Sequence, residues 1–246
     1  QIQAYLETLT LNVSSEQKNN NEANRFIATK ALITGKVEEA AFGLATFLDI
    51  PKQRMKLILS NGEQAITDEV RSLNDPEINE WFHYVMHEIT SEKEYHNGTR
   101  DVGRGSMVLN DFVNHQNACK AKLERVHVIA LRLYTTPAYK MINNPLRNRS
   151  REECHPLAAT VWYIHEGIKK LRAIVDLRKR GKESSHMFSL WRGLRDMHVS
   201  DDFKSGGGTE LAPMSTTSSL AVALSYLRDV TVGALIFKIN VPDALA

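Results

Sequence analysis

The chain has 246 residues, 42% of them hydrophobic, enough for one large domain or two smaller ones around a real core. With 31 basic residues against 29 acidic the net charge is +2, so bulk charge gives no argument for nucleic acid or a membrane surface. No apolar run approaches the roughly 18 residues that a membrane span needs.

Cys119 and Cys154 are the only two cysteines. Such thin usage argues against a disulfide framework and for a reducing, intracellular setting or indifference to redox. The sequence opens on Gln1 with no charged-then-apolar leader, so a signal peptide removed beforehand stays open. Acceptor sequons at Asn12, Asn97 and Asn148 say little about secretion, because such triplets arise by chance in polar sequence.

In chain order, residues 14–24 (SSEQKNNNEAN) are polar and Asn-rich and read as a loop. From residue 25 to 90 the pattern is helical, broken at Pro51 and reopened at Asp75-Pro76, after which Ile78, Trp81, Phe82, Val85 and Ile89 share one face. Residues 91–106 lose all periodicity and carry three glycines, which marks a loop or the joint between two lobes.

The clearest helix is expected over 156–180. Leu157, Val161, Ile164, Ile168, Leu171 and Val175 alternate spacings of four and three and give one apolar stripe. Pro156 suits the first helical position and Gly181 the residue past the end. After it the period changes to two. Strands are expected at 186–194 (HMFSLWRGL) and 211–217 (LAPMSTT). A short helix follows at 218–227, with Leu220, Ala223, Leu224 and Leu227 on one side, and then a strand at 233–241 (GALIFKINV). Helices first and strands later indicate an α+β protein.

Two positions bear on chemistry. In a strand, Arg192 shares a face with Phe188, Leu190 and Leu194. A guanidinium there needs an acidic partner or a bound anion, and its planar fork of donors matches phosphate. The alternative is an arginine at a strand end that reaches solvent or an internal carboxylate. Gly193 next to it would let a ligand approach the backbone closely. The second position is the hydroxyl run Ser215, Thr216, Thr217, Ser218 and Ser219, at a strand end and a helix start. It reads either as helix capping or as a hydroxyl turned into a cleft to orient a ligand or a catalytic carboxylate.

The order LWRGL, a Gly-rich loop, APMSTTSSLAVALSYL and then GALIFKI resembles the arginine–serine–glutamate branch of the mono-ADP-ribosyltransferases, shared by cholera-type toxins and vertebrate ecto-enzymes. Upstream, 131–147 (LRLYTTPAYKMINNPLR) looks like the helical lobe that precedes the first catalytic strand in eukaryotic members, and 97–105 (NGTRDVGRG) like a stretch before that lobe. The resemblance covers about the last 140 residues. It implies a helical region of unknown role over 1–105 and, over 106–246, a transferase-like domain with a helical lobe and a split, mixed β core.

The same resemblance implies NAD+ as a consumed substrate rather than a recycled cofactor, no metal, and a target protein or larger assembly as partner. Arg192 would hold the NAD phosphates and the nicotinamide-side ribose, and the Gly193 backbone would meet the nicotinamide amide. Ser215 would brace the cleft and the catalytic glutamate, with Thr216 and Thr217 completing the strand motif. Phe203 and Tyr226 are the aromatic candidates to pack on the nicotinamide. Arg192 and Ser215 are the expected catalytic residues.

The family's glutamate lies beyond the strand that matches GALIFKI, and this sequence stops at Ala246, before that loop. After Ser215 the only acids are Asp229 and Asp243, and neither has a Glu-x-Glu context. The expectation is that the carboxylate lies past Ala246; an omitted segment and a non-catalytic relative serving as a binding or structural module are the alternatives.

Two further features carry bland readings beside sharper ones. Lys169, Lys170, Arg172, Arg178, Lys179, Arg180 and Lys182 crowd one helix, as a solvated face or as a stripe for nucleic acid or an acidic partner. His83 and His87 are four apart beside Glu88, a spacing two metal ligands can use, but no third ligand accompanies them and a structural role is the reading.

Overall fold

The computed structural model describes residues 6–12, 50–87, 107–148, 153–179, 187–195, 197, 199, 201, 203, 211–227 and 233–242. The chain mixes helix and sheet and is mostly helical. It packs into two compact units: residues 21–179, and residues 1–20 together with 180–246. These units do not divide the chain at 105–106; helices from both sides of that point pack together.

In the first unit, α1 (Lys52–Asn61), α2 (Glu63–Leu73) and α3 (Pro76–Met86) follow one another with minimal connections. Gly62, at φ 51°, ends α1 and starts α2, a left-handed φ that glycine adopts without cost. Asn74 ends α2 in the left-handed conformation, and Asp75 caps α3, its carboxylate accepting from the Glu77 amide at 2.8 Å with Pro76 in the first turn. The break at Pro51 and the start at Asp75-Pro76 are thus where the sequence places them. Expectations on 25–49, 88–106 and Gly181 lie outside the described residues.

The short helices α4 (Leu109–Val113) and α5 (Gln116–Lys120) lead into α6 (Arg125–Tyr134) and α7 (Tyr139–Arg147). Helix α6 is the centre of this unit. It packs against α2, α3, α4, α7 and the long helix α8 (Ala158–Lys179), and Val126, His127, Val128, Ile129, Ala130, Arg132 and Leu133 are all buried. A helix enclosed on all sides is apolar all round, and VHVIALRL is nearly so.

Helix α8 starts two residues later than expected, and its first turns are sealed. His155 is fully buried; its Nδ1 accepts from the Leu157 amide at 3.0 Å, so Nε2 carries the proton donated to the Ile142 carbonyl, also at 3.0 Å. The Glu69 carboxylate on α2 caps the helix from ninety residues away, accepting from the Ala159 amide at 2.8 and 2.9 Å and the Thr160 amide at 3.3 Å. Burial pushes Glu69 up to about 7, against those amides and Arg54, which pull it down.

The expected stripe on α8 holds at Leu157, Val161 and Ile164 but fails at Ile168, which is 46% exposed. The contact line runs through Gly167 instead: a Cβ there would stand 3.0 Å from Leu131 Cδ1, so α6 approaches where a side chain is missing. Ile168, about 100° further round the helix, turns outward.

In the second unit, β1 (Leu6–Asn12), β2 (Met187–Arg195) and β3 (Ala234–Pro242) form a sheet in the order β1-β3-β2. Strand β3 runs parallel to β1 and antiparallel to β2. As the middle strand it is covered on both faces, with Ala234, Leu235, Ile236 and Ile239 buried. Strands β2 and β3 match the expected segments within two residues. Strand β1 was not anticipated. The short helix α9 (Leu220–Ser225) lies against β2.

Candidate functional site

Strand alternation puts Leu190, Arg192 and Leu194 on one face of β2, and the register pairs them with Ile239, Phe237 and Leu235 of β3. Trp191 and Gly193 point to the other face. The segment expected as a strand at 211–217 is not one: it meets β2 through a single antiparallel bridge, Trp191 to Thr217, with backbone bonds of 2.7 and 2.9 Å. The next hydrogen-bonded pair in that register would be Gly193 with Ser215. There the Ser215 carbonyl accepts from Arg192 Nη1 at 3.3 Å. Further back, Pro213 has no amide to donate.

This bridge brings Arg192 and Ser215 together. Arg192 is half-buried and its described contact is that carbonyl; among the described residues no carboxylate lies within ion-pair distance of it. A carbonyl supplies partial negative charge only, so the rest of the fork is available to an anion.

The other expected site residues divide. Phe203 stacks on Phe237, with ring centroids 6.2 Å apart and planes at 26°. Because Phe237 is the cross-strand partner of Arg192, this aromatic pair and the guanidinium share a face. Tyr226 follows α9, is 62% exposed, and its carbonyl accepts from Arg195 Nε, on the face away from Arg192. Thr216 is exposed. The Thr217 hydroxyl accepts from the Ser219 amide at 3.1 Å, and the Ser219 hydroxyl from the Val222 amide at 3.4 Å. Capping therefore describes Thr217 and Ser219.

Gly193 has a packing reason of its own. A Cβ there would lie 2.5 Å from the Ala223 carbonyl and 3.1 Å from Leu227. Helix α9 sits on the space that a side chain would need, so the close approach at Gly193 is made by protein backbone on that face. The same contact explains why Ala223 is buried while Leu220 and Leu224, expected on the inner side, are 40% and 41% exposed.

Phe237 is the residue that the sequence reading passed over. The sequence places it within the strand expected at 233–241, and only the register between β2 and β3 sets it opposite Arg192.

Other polar clusters are structural. His127 Nδ1 accepts from the Glu124 amide at 3.1 Å and Nε2 donates to Glu166 at 3.0 Å, so neither nitrogen is left for proton transfer. The basic helix face is partly turned inward: Lys170 reaches Glu124 and Glu166 at 3.6 and 3.8 Å, and the Lys169 amine is sealed from solvent. Burial lowers the Lys169 pKa. His83 and His87 are exposed with ring centroids 3.7 Å apart, and among the described residues no group of three metal-ligating side chains occurs. Both cysteines are free thiols.

Among the described residues no helix is long and apolar enough to cross a membrane. No family model matches the chain, and neither the curated proteins nor the solved structures contain a match to it.

Proposed function

We propose that the chain binds NAD+ at the Arg192 face of its sheet and transfers ADP-ribose from it to a protein side chain, on a split core of the ADP-ribosyltransferase type. The observation that carries this reading is a half-buried guanidinium with no described carboxylate, linked to the carbonyl of Ser215 through the Trp191–Thr217 bridge. Phe203 and Phe237 add an aromatic surface on the same face, suited to a planar base.

The chemistry asks little of the protein. Cleavage of the bond between nicotinamide nitrogen and ribose carbon leaves its electron pair on nitrogen, so a cationic ring departs neutral and the ribose gains oxocarbenium character. A nucleophile, from a target protein or from water, attacks that carbon and loses a proton. Arg192 would clamp the diphosphate, which fixes the ribose for attack. A carboxylate to stabilise the developing charge is not supplied by the residues described around Arg192.

The test is a calorimetric titration of the protein with NAD+, ATP and ADP-ribose, repeated on Arg192→Ala. The reading requires NAD+ binding that the variant loses while its melting temperature stays near wild type. A wild type that ignores NAD+, or a variant that unfolds, removes it.

A second reading, a binding or structural module without catalysis, is favoured by one observation. Gly193 is accounted for by the packing of α9, so its presence needs no ligand. NAD+ binding without release of nicotinamide in the presence of candidate acceptor proteins is the outcome that selects it.

A further inference from the structure

A cleft of about 260 Å³ opens in the helical unit between α4, α5, α6 and α8. An apolar cavity of roughly 150 Å³ lined by leucine and phenylalanine stays dry and takes up benzene, so this space has room for a ring with a short substituent. Its walls are Phe112 from α4, Leu123 before α6, Val128 and Leu131 from α6, and Leu171 from α8. Phe112 gives these walls an aromatic surface, against which a second ring packs offset or edge-on.

The charge in the lining is already committed. Arg132 Nη1 donates to the Val85 carbonyl at 3.3 Å, and its guanidinium lies 4.4 Å from the centre of the Phe112 ring and 5.8 Å from that of Tyr84. The Thr135 hydroxyl donates to the Arg132 carbonyl at 2.7 Å. No acidic residue lines the cleft. A charged ligand would give up its hydration with no free counter-charge to meet it, which selects for a neutral one. His115, also in the lining, differs from Arg132 and Thr135. Its Nδ1 accepts from the Asn117 amide at 3.3 Å, so Nε2 carries the ring proton, and among the described residues no protein acceptor meets it.

From this we infer that the cleft is a binding site for a small neutral aromatic molecule with one acceptor oxygen, its ring among Phe112, Leu131 and Leu171 and its oxygen toward His115 Nε2. The site lies wholly within residues 107–179 and shares no residue with the Arg192 face.

The test titrates acetophenone, ethylbenzene and benzoate into the full chain, followed by calorimetry and by chemical shifts of the Val128 and Leu131 methyl groups. Acetophenone is expected to bind with a dissociation constant on the order of millimolar. Ethylbenzene, which lacks the oxygen, is expected to bind about threefold to tenfold more weakly, and benzoate at least tenfold more weakly. His115→Ser keeps a capping hydroxyl at that position and is expected to bring acetophenone down to the affinity of ethylbenzene, which itself stays unchanged. Leu171→Trp fills the cleft from a half-buried position and is expected to abolish the methyl shifts with both neutral ligands at an unchanged melting temperature. Leu123→Trp on another wall takes its place should that variant not fold. Equal affinity for ethylbenzene and acetophenone overturns the role of His115, and benzoate binding as tightly as acetophenone overturns the neutral assignment. Failure of both neutral ligands to bind, or binding that survives a folded tryptophan variant, overturns the site.

Discussion

A guanidinium held by one carbonyl at 3.3 Å on a half-exposed strand contributes little to folding, because water competes for the same donors. Its neighbour differs. At Gly193 any side chain must displace the Ala223 carbonyl from 2.5 Å, and a backbone atom in a packed helix has nowhere to go. Arg192→Ala is therefore expected to change the unfolding free energy by about 0.5 kcal/mol or less, and Gly193→Ala to lower it by roughly 1–3 kcal/mol. Urea denaturation of both variants measures this. A larger loss in Arg192→Ala than in Gly193→Ala makes the arginine a structural residue. Strand alternation was enough to single out Arg192, since it needs only two residues on either side. The role of Gly193 was not legible, because it depends on a helix thirty residues downstream. Phe237 was hidden for the same reason: its partner is set by register, which no local pattern encodes.

Helix α8 shows how far periodicity carries and where it stops. Spacing alone located the helix and its first buried turns. It put Ile168 inside because a stripe read from apolar side chains cannot see that α6 seats itself on Gly167. Ile168→Ser is accordingly expected to cost at most about 0.5 kcal/mol, while Ile164→Ala, at a fully buried position, costs about 2–5 kcal/mol. Comparable losses in the two variants, read from thermal melts, return Ile168 to the core. The cap on α8 was equally illegible, since Glu69 reaches it from another helix. It makes this element sensitive to pH. Glu69 has a folded pKa of about 7 against an ordinary 4.5, so between those values the folded chain holds more protons than the unfolded one. Its contribution is fully present below pH 4.5 and is lost as pH rises through 7, on the order of 3 kcal/mol in all. His165 acts in the opposite sense. Burial, with Lys169 beside it, lowers its pKa from 6.5 to about 4, so its contribution is present above pH 6.5 and lost as pH falls through 4. Unfolding of wild type and Glu69→Gln at pH 5, 6, 7 and 8 separates the two. The stability difference between the chains is expected to shift against wild type as pH rises through 7, and a difference independent of pH means that Glu69 stays ionised throughout.

At the scale of the whole molecule, the sheet joins the two ends of the described chain. Leu6 pairs with Ala234 and Asn12 with Asn240, so the parallel half of the sheet closes a loop of more than two hundred residues. Loop closure of that length makes β1 the strand whose pairing costs most entropy per bond formed. It also explains why LETLTLN carries no strand expectation of its own: what fixes the segment is a partner more than two hundred residues away. Strand β3, by contrast, was legible, because Leu235, Phe237, Ile239 and Val241 alternate with their neighbours along GALIFKINV, a pattern that needs no distant partner to be seen. The helical unit has no share in this pairing, since its core is built by α6 with α2, α3, α4, α7 and α8. Removing residues 1–12 is therefore expected to act on one unit only. Amides at 234–240 that face β1 lose their acceptors and should exchange with solvent at least tenfold faster, while those of Arg125–Tyr134 keep their protection. Mass-spectrometric hydrogen exchange on the full and shortened chains resolves these two segments. Unchanged protection over 234–240 refutes the pairing of β1 with β3, and loss of protection at Arg125–Tyr134 shows that the helical core depends on the sheet.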